Sequence, residues 1–121
     1  MATILIADDD NVMLKLYELH LKKAGHTLII CQEGNSVMEQ FERHTVELAV
    51  LDYLLPGKTG LELIQLIRKN NQTLPLIVIT AQGKQTLKQD LLNAGANAVF
   101  TKPFSPSVLM KTIESLLEAA S

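Results

Sequence analysis

The chain has 121 residues, 47% of them hydrophobic, and a formal net charge of −2 at pH 7. This length suits one hydrophobic core and is too short for two ordinary domains, so we expect a single domain over residues 1–121. The near balance of charges argues against nucleic acid as a direct partner. The single cysteine, Cys31, cannot form an internal disulfide. This cysteine usage fits a reducing, cytoplasmic setting. No apolar run approaches the roughly 18 residues of a membrane span, and the N-terminus lacks a signal pattern, so we expect neither membrane insertion nor secretion.

Five short segments rich in β-branched and other apolar residues are predicted to be strands. Their hydrophobicity is nearly continuous rather than alternating, which is typical of strands buried on both faces of a sheet. The predicted strands are Thr3 to Ala7, Thr27 to Cys31, Val46 to Leu51, Leu74 to Ile79 and Asn97 to Thr101.

Segments between these strands have helical spacing. The clearest predicted helices are Asn11 to Ala24, Gly60 to Lys69, Lys84 to Ala94 and a last one that begins at Ser105-Pro106. Gly25 and Gly95 follow two of these helices, where glycine commonly ends a helix. The side of the first helix that we expect to face the core carries Val12, Leu16, Leu19 and Ala24.

Strand and helical segments alternate five times along the chain. Such alternation, without a run of hairpin turns, predicts right-handed crossover connections and a parallel sheet with helices on both faces. We therefore expect a doubly wound α/β fold.

Four of the five aspartates lie at the carboxyl ends of two predicted strands. Asp8, Asp9 and Asp10 follow the first strand, and Asp52 follows the third. Aspartate is also a common helix cap, so Asp9 or Asp10 capping the first helix and Asp52 capping a turn is an alternative for each residue alone. Capping does not account for three consecutive carboxylates together with a fourth on a separate strand.

Ligands of open parallel sheets bind at the carboxyl ends of the strands. If the first and third strands are neighbours, Asp8, Asp9 and Asp52 converge, and their mutual repulsion favours a bound cation. Magnesium, which prefers oxygen ligands and keeps several waters, suits such a shallow site. The carboxylates therefore predict metal binding.

The remaining two strands end in polar residues at matching positions. Thr80 follows Ile79, and Lys102 stands before Pro103. A strand-terminal threonine and a solvated surface lysine are ordinary alternatives, but a proline after the lysine constrains the bend there and is compatible with a cis peptide bond. Carboxylates, a metal, a hydroxyl and an ammonium together fit phosphoryl transfer, which depends mainly on positioning and charge neutralisation.

Taken in order, these motifs resemble the receiver domain of two-component response regulators, of the chemotaxis-regulator type. The resemblance spans the whole chain and rests on Ile4 to Asp10, Leu51 to Gly57 followed by Gly60, Ile79 to Ala81 and Lys102 to Phe104. It implies one receiver domain over residues 1–121, with a five-stranded flavodoxin-like sheet in the order 2-1-3-4-5.

The resemblance also implies roles for individual residues. Asp52 would accept a phosphoryl group from a phosphohistidine on a sensor histidine kinase or phosphotransfer protein. Asp8, Asp9, Asp52 and the backbone carbonyl of Leu54 would hold Mg²⁺, with Asp8 acting mainly through a bound water. Intrinsic phosphotransfer and autophosphatase activities would accompany a signalling role.

Thr80 and Lys102 complete the site that the resemblance implies. The Thr80 hydroxyl and the backbone N–H of Ala81 would donate to phosphoryl oxygens, and Lys102 would pair with the phosphoryl group or with unmodified Asp52. Phosphorylation would draw Thr80 inward, shift the loop after the fourth strand and change the binding of an output protein.

Two positions depart from or modify this pattern. The residue three before Lys102 is usually aromatic in the family and is Val99 here, so we expect the output face to switch by loop repositioning alone. Leu54 and Gln82 flank the expected path of the hydrolytic water. Because an apolar Leu54 cannot hydrogen-bond that water, we expect dephosphorylation to be slower than with a polar residue at this position.

Two other functions fit parts of the pattern. A magnesium-dependent phosphohydrolase of the haloacid dehalogenase type also uses a strand-end aspartate, but it needs a second aspartate two residues later, where this chain has Leu54. A phosphorylation-independent scaffold would keep the fold without the chemistry. His20, His26 and His44 have no carboxylate or cysteine at ligand spacing, and we expect them at the surface or at helix ends.

Overall fold

Five parallel strands form the central sheet of the structure, a computed structural model that describes residues 1–120. These strands are β1 (Thr3–Ala7), β2 (Thr27–Cys31), β3 (Leu48–Asp52), β6 (Leu76–Thr80) and β7 (Ala98–Thr101). Two shorter strands, β4 (Leu54–Leu55) and β5 (Lys58–Thr59), form a separate antiparallel hairpin. The order in the central sheet is β2-β1-β3-β6-β7. Counted along the chain, its strands therefore follow the predicted flavodoxin-like order 2-1-3-4-5.

Helices connect the strands. They are α1 (Asn11–Tyr17), which continues as a π-helical turn (Glu18–Lys22), then α2 (Val37–Arg43), α3 (Gly60–Asn70), α4 (Gln85–Ala94) and α5 (Pro106–Ala120). A 3₁₀ turn at Gly34–Ser36 leads into α2. Within residues 1–120, no helix combines the length and the apolar character that crossing a bilayer requires.

The sheet separates two hydrophobic cores, as the prediction of helices on both faces requires. Successive residues of a strand point to opposite faces. Accordingly, Ile4 and Ile6 of β1 pack with α1 and α5, whereas Leu5 and Ala7 pack with α2, α3 and α4. All five residues of β3 and of β6 are buried, which explains why the first four residues of each strand are apolar.

The predicted core-facing side of α1 is wrong. Val12 and Leu19 are 76% and 64% exposed, whereas Leu14, Tyr17 and Leu21 are buried against the sheet. Two apolar stripes run along this segment at helical spacing, so periodicity alone does not select the buried one. The π-helical turn at Glu18–Lys22 also departs from the 3.6-residue repeat on which the prediction relied.

His26 is buried, contrary to the expected surface or helix-end position. It is 7% exposed, and its Nδ1 accepts a hydrogen bond of 3.0 Å from the backbone N–H of Ala2. Because Nδ1 is an acceptor, Nε2 carries the hydrogen that is donated to Oε2 of Glu114, 2.7 Å away. His26 therefore ties the start of β1 to α5, through partners too distant in the chain for a spacing argument to find.

Replacement of Thr59 by alanine should lower the free energy of unfolding by about 1 kcal/mol. Thr59 caps α3: its hydroxyl accepts from the N–H of Glu62 at 3.2 Å, and the Glu62 carboxylate accepts from the N–H of Thr59 at 2.9 Å. Urea denaturation measures the change. The matched control is Thr86→Ala in the exposed first turn of α4, where stability should stay equal or rise slightly because alanine favours helix. Equal losses at both positions would contradict the capping role.

Candidate functional site

Three carboxylates meet at the carboxyl edge of the sheet. Parallel pairing of β1 with β3 sets Ala7 opposite Leu51, so the residues that follow, Asp8 and Asp52, emerge side by side. One carboxylate oxygen from each of Asp8, Asp9 and Asp52 lies within 4.8 Å of the others. The structure thus brings together the three acidic residues that the sequence predicted to converge.

Asp8 is the most deeply buried member of this cluster, at 1% exposure. Its Oδ1 accepts a hydrogen bond of 2.9 Å from the N–H of Asp10, whereas its buried Oδ2 has no hydrogen-bond partner in the described chain. The pKa of Asp8 is raised to about 6, mainly by burial and also by the negative charge of Asp52, against the opposing effect of the Asp10 N–H. An unpartnered buried oxygen beside two other carboxylates fits a hard divalent cation.

Asp52, the last residue of β3, is 9% exposed. Burial raises the pKa of its carboxyl group, while the ammonium of Lys102 and the backbone N–H of Leu54 act in the opposite direction. Nζ of Lys102 lies 3.9 Å from Oδ2 of Asp52, an ion pair without hydrogen-bond contact. Asp52 is therefore a nearly buried carboxylate with a single cation close by.

Thr80 and Lys102 lie at the same edge as the carboxylates. Thr80 ends β6 beside β3 and is 2% exposed, and its carbonyl accepts from the N–H of Lys102 at 2.8 Å. The Thr80 hydroxyl oxygen accepts a hydrogen bond of 3.0 Å from the N–H of Gln82, which leaves its own hydrogen free to donate elsewhere. The peptide bond between Lys102 and Pro103 is cis.

The consecutive aspartates have different tasks. The Asp10 side chain caps α1 by accepting from the N–H of Val12 at 2.9 Å, so the capping alternative is correct for this residue. Asp8 and Asp9 instead belong to the acidic cluster.

Leu54 lies in β4 with its side chain 60% exposed beside the site. The role of its carbonyl as a metal ligand stays a prediction.

Sequence reasoning missed Tyr17 as a neighbour of this site. Its ring is fully buried on α1, and its hydroxyl has no hydrogen-bond partner among residues 1–120. An aromatic residue with a hydroxyl on the core-facing side of α1 could have indicated this position from the sequence. The prediction assigned the wrong side of α1 to the core, so Tyr17 was not considered.

Comparisons with known proteins agree with this arrangement. A family model described as the response regulator receiver domain matches residues 4–114. The regulatory protein VanR of Enterococcus faecium is 34% identical over 114 residues, which cover 94% of this chain and 49% of that protein. The chain thus spans about half the length of the curated relatives it matches.

Solved structures share the fold along nearly the whole chain. A CheY-like response regulator receiver domain protein from Methanospirillum hungatei is 28% identical, with a TM-score of 0.92 and coverage of 99% of this chain and 96% of that one. The BeF3-activated receiver domain of Klebsiella pneumoniae RstA is 26% identical, with a TM-score of 0.89 and coverage of 95% and 97%.

In the metal-free protein, Asp8→Asn should raise the free energy of unfolding at neutral pH. Because the pKa of Asp8 rises from 3.8 to about 6 on folding, the folded state holds the proton more tightly, and stability is lost as pH rises through that interval. The advantage of asparagine should therefore be small near pH 4, grow up to about pH 6 and then level off, on the order of 3 kcal/mol. Urea denaturation in the presence of a chelator, at several pH values, measures it.

The control for this series is Asp90→Asn, which removes a carboxylate from the exposed surface of α4. Because the position is exposed, this variant should change the free energy of unfolding only slightly. If the stabilisation by Asp8→Asn is constant or decreases as pH rises, burial of the ionised Asp8 carboxylate does not destabilise the folded state as predicted.

Proposed function

Because the chain belongs to the response regulator receiver domain family of two-component systems, we propose that it switches by phosphorylation of Asp52. In this proposal the acidic cluster holds Mg²⁺, and the modified domain changes its binding to an output partner. The observation that carries the proposal is the meeting, at one edge of the sheet, of three carboxylates within 4.8 Å and an ammonium 3.9 Å from Asp52.

The proposed metal ligands are the carboxylates of Asp8, Asp9 and Asp52 and the carbonyl of Leu54. When bound, Mg²⁺ supplies neutralisation of the carboxylates and of the phosphoryl oxygens. The unpartnered Oδ2 of Asp8 supports this assignment, because a buried carboxylate oxygen without a donor is compensated by a cation or by the waters that the cation holds.

Asp52 acts as the nucleophile in the proposed transfer. A carboxylate oxygen of Asp52 attacks the phosphorus of a phosphohistidine, and the new oxygen–phosphorus bond forms as the phosphorus–nitrogen bond breaks and the imidazole leaves. Lys102 lies close enough to Asp52 to stabilise the charge of the transferred group, and the free hydrogen of the Thr80 hydroxyl can be donated to one of its oxygens. Positioning and charge neutralisation account for most of the catalysis of such transfers.

Thr80 links the chemistry to the proposed change of partner binding. In the unmodified site its hydroxyl accepts from the N–H of Gln82 and so holds the start of the loop after β6. A Thr80 side chain that turns toward a phosphoryl group weakens this contact and shifts the loop toward a second arrangement. Because Val99 replaces the usual aromatic residue on β7, we propose that loop movement alone alters the output face.

The proposed phosphodonor is a sensor histidine kinase or a phosphotransfer protein, in the cytoplasm. The output partner is a further protein or a separate segment of a longer chain. A phosphorylation-independent scaffold would have no need for the assembled carboxylates and lysine, and a haloacid-dehalogenase-type hydrolase would need an acid where Leu54 stands.

Incubation with Mg²⁺ and acetyl phosphate should add one phosphoryl group to the protein. Intact-mass measurement should show this adduct in the unchanged chain and in the Asp90→Asn control, and should show none in Asp52→Ala, which lacks the nucleophile. An adduct that persists in Asp52→Ala would contradict the assignment of Asp52. Rapid multiple turnover without an adduct would favour a hydrolase, and no reaction in the unchanged chain would favour a scaffold.

Leu54→Asn should shorten the lifetime of the phosphorylated protein severalfold. The Leu54 side chain is 60% exposed beside the site and cannot hydrogen-bond a water, whereas an asparagine amide can orient the attacking water. Decay of the adduct after removal of acetyl phosphate measures the lifetime. Leu54→Met is the matched apolar control and should leave it unchanged. Equal lifetimes in all three proteins would refute the proposed role.

A further inference from the structure

Tyr17 is fully buried, and among residues 1–120 its hydroxyl makes no hydrogen bond that would stabilise the fold. The ring is 0% exposed in the core between α1, α5 and the sheet, and its hydroxyl has no hydrogen-bond partner in the described part of the chain. Leaving a buried hydroxyl unpaired costs stability, so such a group calls for an explanation beyond packing. Phenylalanine would fill the same volume without that cost.

Within residues 1–120, only one other buried side-chain polar atom lacks a partner, and it is Oδ2 of Asp8. Asp8 extends β1 by one residue, because its N–H donates to the Cys31 carbonyl at 3.0 Å. The alternation of side chains along a strand therefore directs Asp8 to the same face as Ile4 and Ile6, the face that Tyr17 covers. The two unpartnered atoms lie on one side of the sheet.

The position of Tyr17 on α1 also favours an approach of its hydroxyl to the site. Long side chains on a helix lean toward its N-terminus, and the N-terminus of α1 follows directly after Asp8, Asp9 and Asp10. Burial raises the pKa of the Tyr17 hydroxyl, and among the charges that raise it further Asp8 has the largest effect. The charge of Asp8 thus affects the pKa of the Tyr17 hydroxyl more than the charge of Asp52 or of Asp10 does.

We propose that Tyr17 is a positioning residue for the metal site, whose hydroxyl holds Oδ2 of Asp8 through one bound water that accepts from the hydroxyl and donates to Oδ2. This inference rests on the proposed magnesium site. The N–H of Asp10 already holds Oδ1 of Asp8, so a donor at Oδ2 fixes the plane of the carboxylate toward Asp9 and Asp52. Each carboxylate oxygen keeps a further lone pair for a metal or its water. Groups that orient metal ligands in this way commonly govern metal affinity.

Tyr17→Phe should weaken Mg²⁺ binding by at least threefold and up to about tenfold. The affinity is obtained from the rise in melting temperature with Mg²⁺ concentration, and the metal-free melt of the same variant reports that it folds. Tyr53→Phe is the matched control, because Tyr53 is the only other tyrosine and packs on the opposite face of the sheet. This control should bind Mg²⁺ as the unchanged chain does.

Tyr53→Phe also provides a direct probe of Tyr17. The chain has no tryptophan and two tyrosines, so Tyr17 is the sole strong fluorophore in this variant. Its emission should change on Mg²⁺ addition with the same midpoint as the thermal titration. A merely structural phenol would leave the emission flat.

The outcomes separate the inference from the proposed function. An unchanged chain that gains no thermal stability from Mg²⁺ removes the metal site, and with it the inference. If the unchanged chain binds Mg²⁺, a loss of less than threefold in Tyr17→Phe, or flat emission in Tyr53→Phe, overturns the role of Tyr17 and leaves the metal site standing.

Discussion

Repulsion among three carboxylates at one edge of the sheet is the constraint around which the site is organised. Parallel pairing of β1 with β3 forces Asp8 and Asp52 together, and burial removes the water that would otherwise screen them. The nearby Lys102 compensates only part of this charge from 3.9 Å. The fold therefore gives up stability at this edge, and the two hydrophobic cores on either side of the sheet supply the stability that permits it.

The same arrangement explains how a change of charge can reach the surface. Four strands of the central sheet, β1, β3, β6 and β7, end at or directly before residues of the candidate site, and a loop begins within one or two residues of each of these ends. Thr80 is the clearest case, because one hydroxyl is both buried at the site and bonded to the N–H of Gln82 in the following loop. A new acceptor at Asp52 competes directly for the position of that hydroxyl. In the proposed mechanism, phosphorylation of Asp52 and the position of the loop after β6 are thus coupled through the Thr80 side chain.

Helix α1 contributes to the site through its packing as well as through its capping residue. Asp10 caps the helix, and in the proposed arrangement the phenol of Tyr17, on the buried face of α1, reaches Asp8 through one bound water. The Tyr17 hydroxyl would then link the acidic cluster to the hydrophobic core between α1, α5 and the sheet. Metal binding and the position of α1 would then be coupled, since displacement of the helix would remove the donor from Asp8.

Local sequence determined much of this protein: the bounds of β1 and β2, the parallel α/β class, the aspartates at strand ends and the positions of Thr80 and Lys102. These features follow from composition and spacing over a few residues, and the strand order followed from the family resemblance. Tertiary structure alone decided which apolar stripe of α1 is buried, that His26 reaches Glu114, and that Tyr17 and Asp8 share one face. The reason is physical: periodicity describes one element by itself, whereas burial and hydrogen bonding depend on which distant segments pack against it.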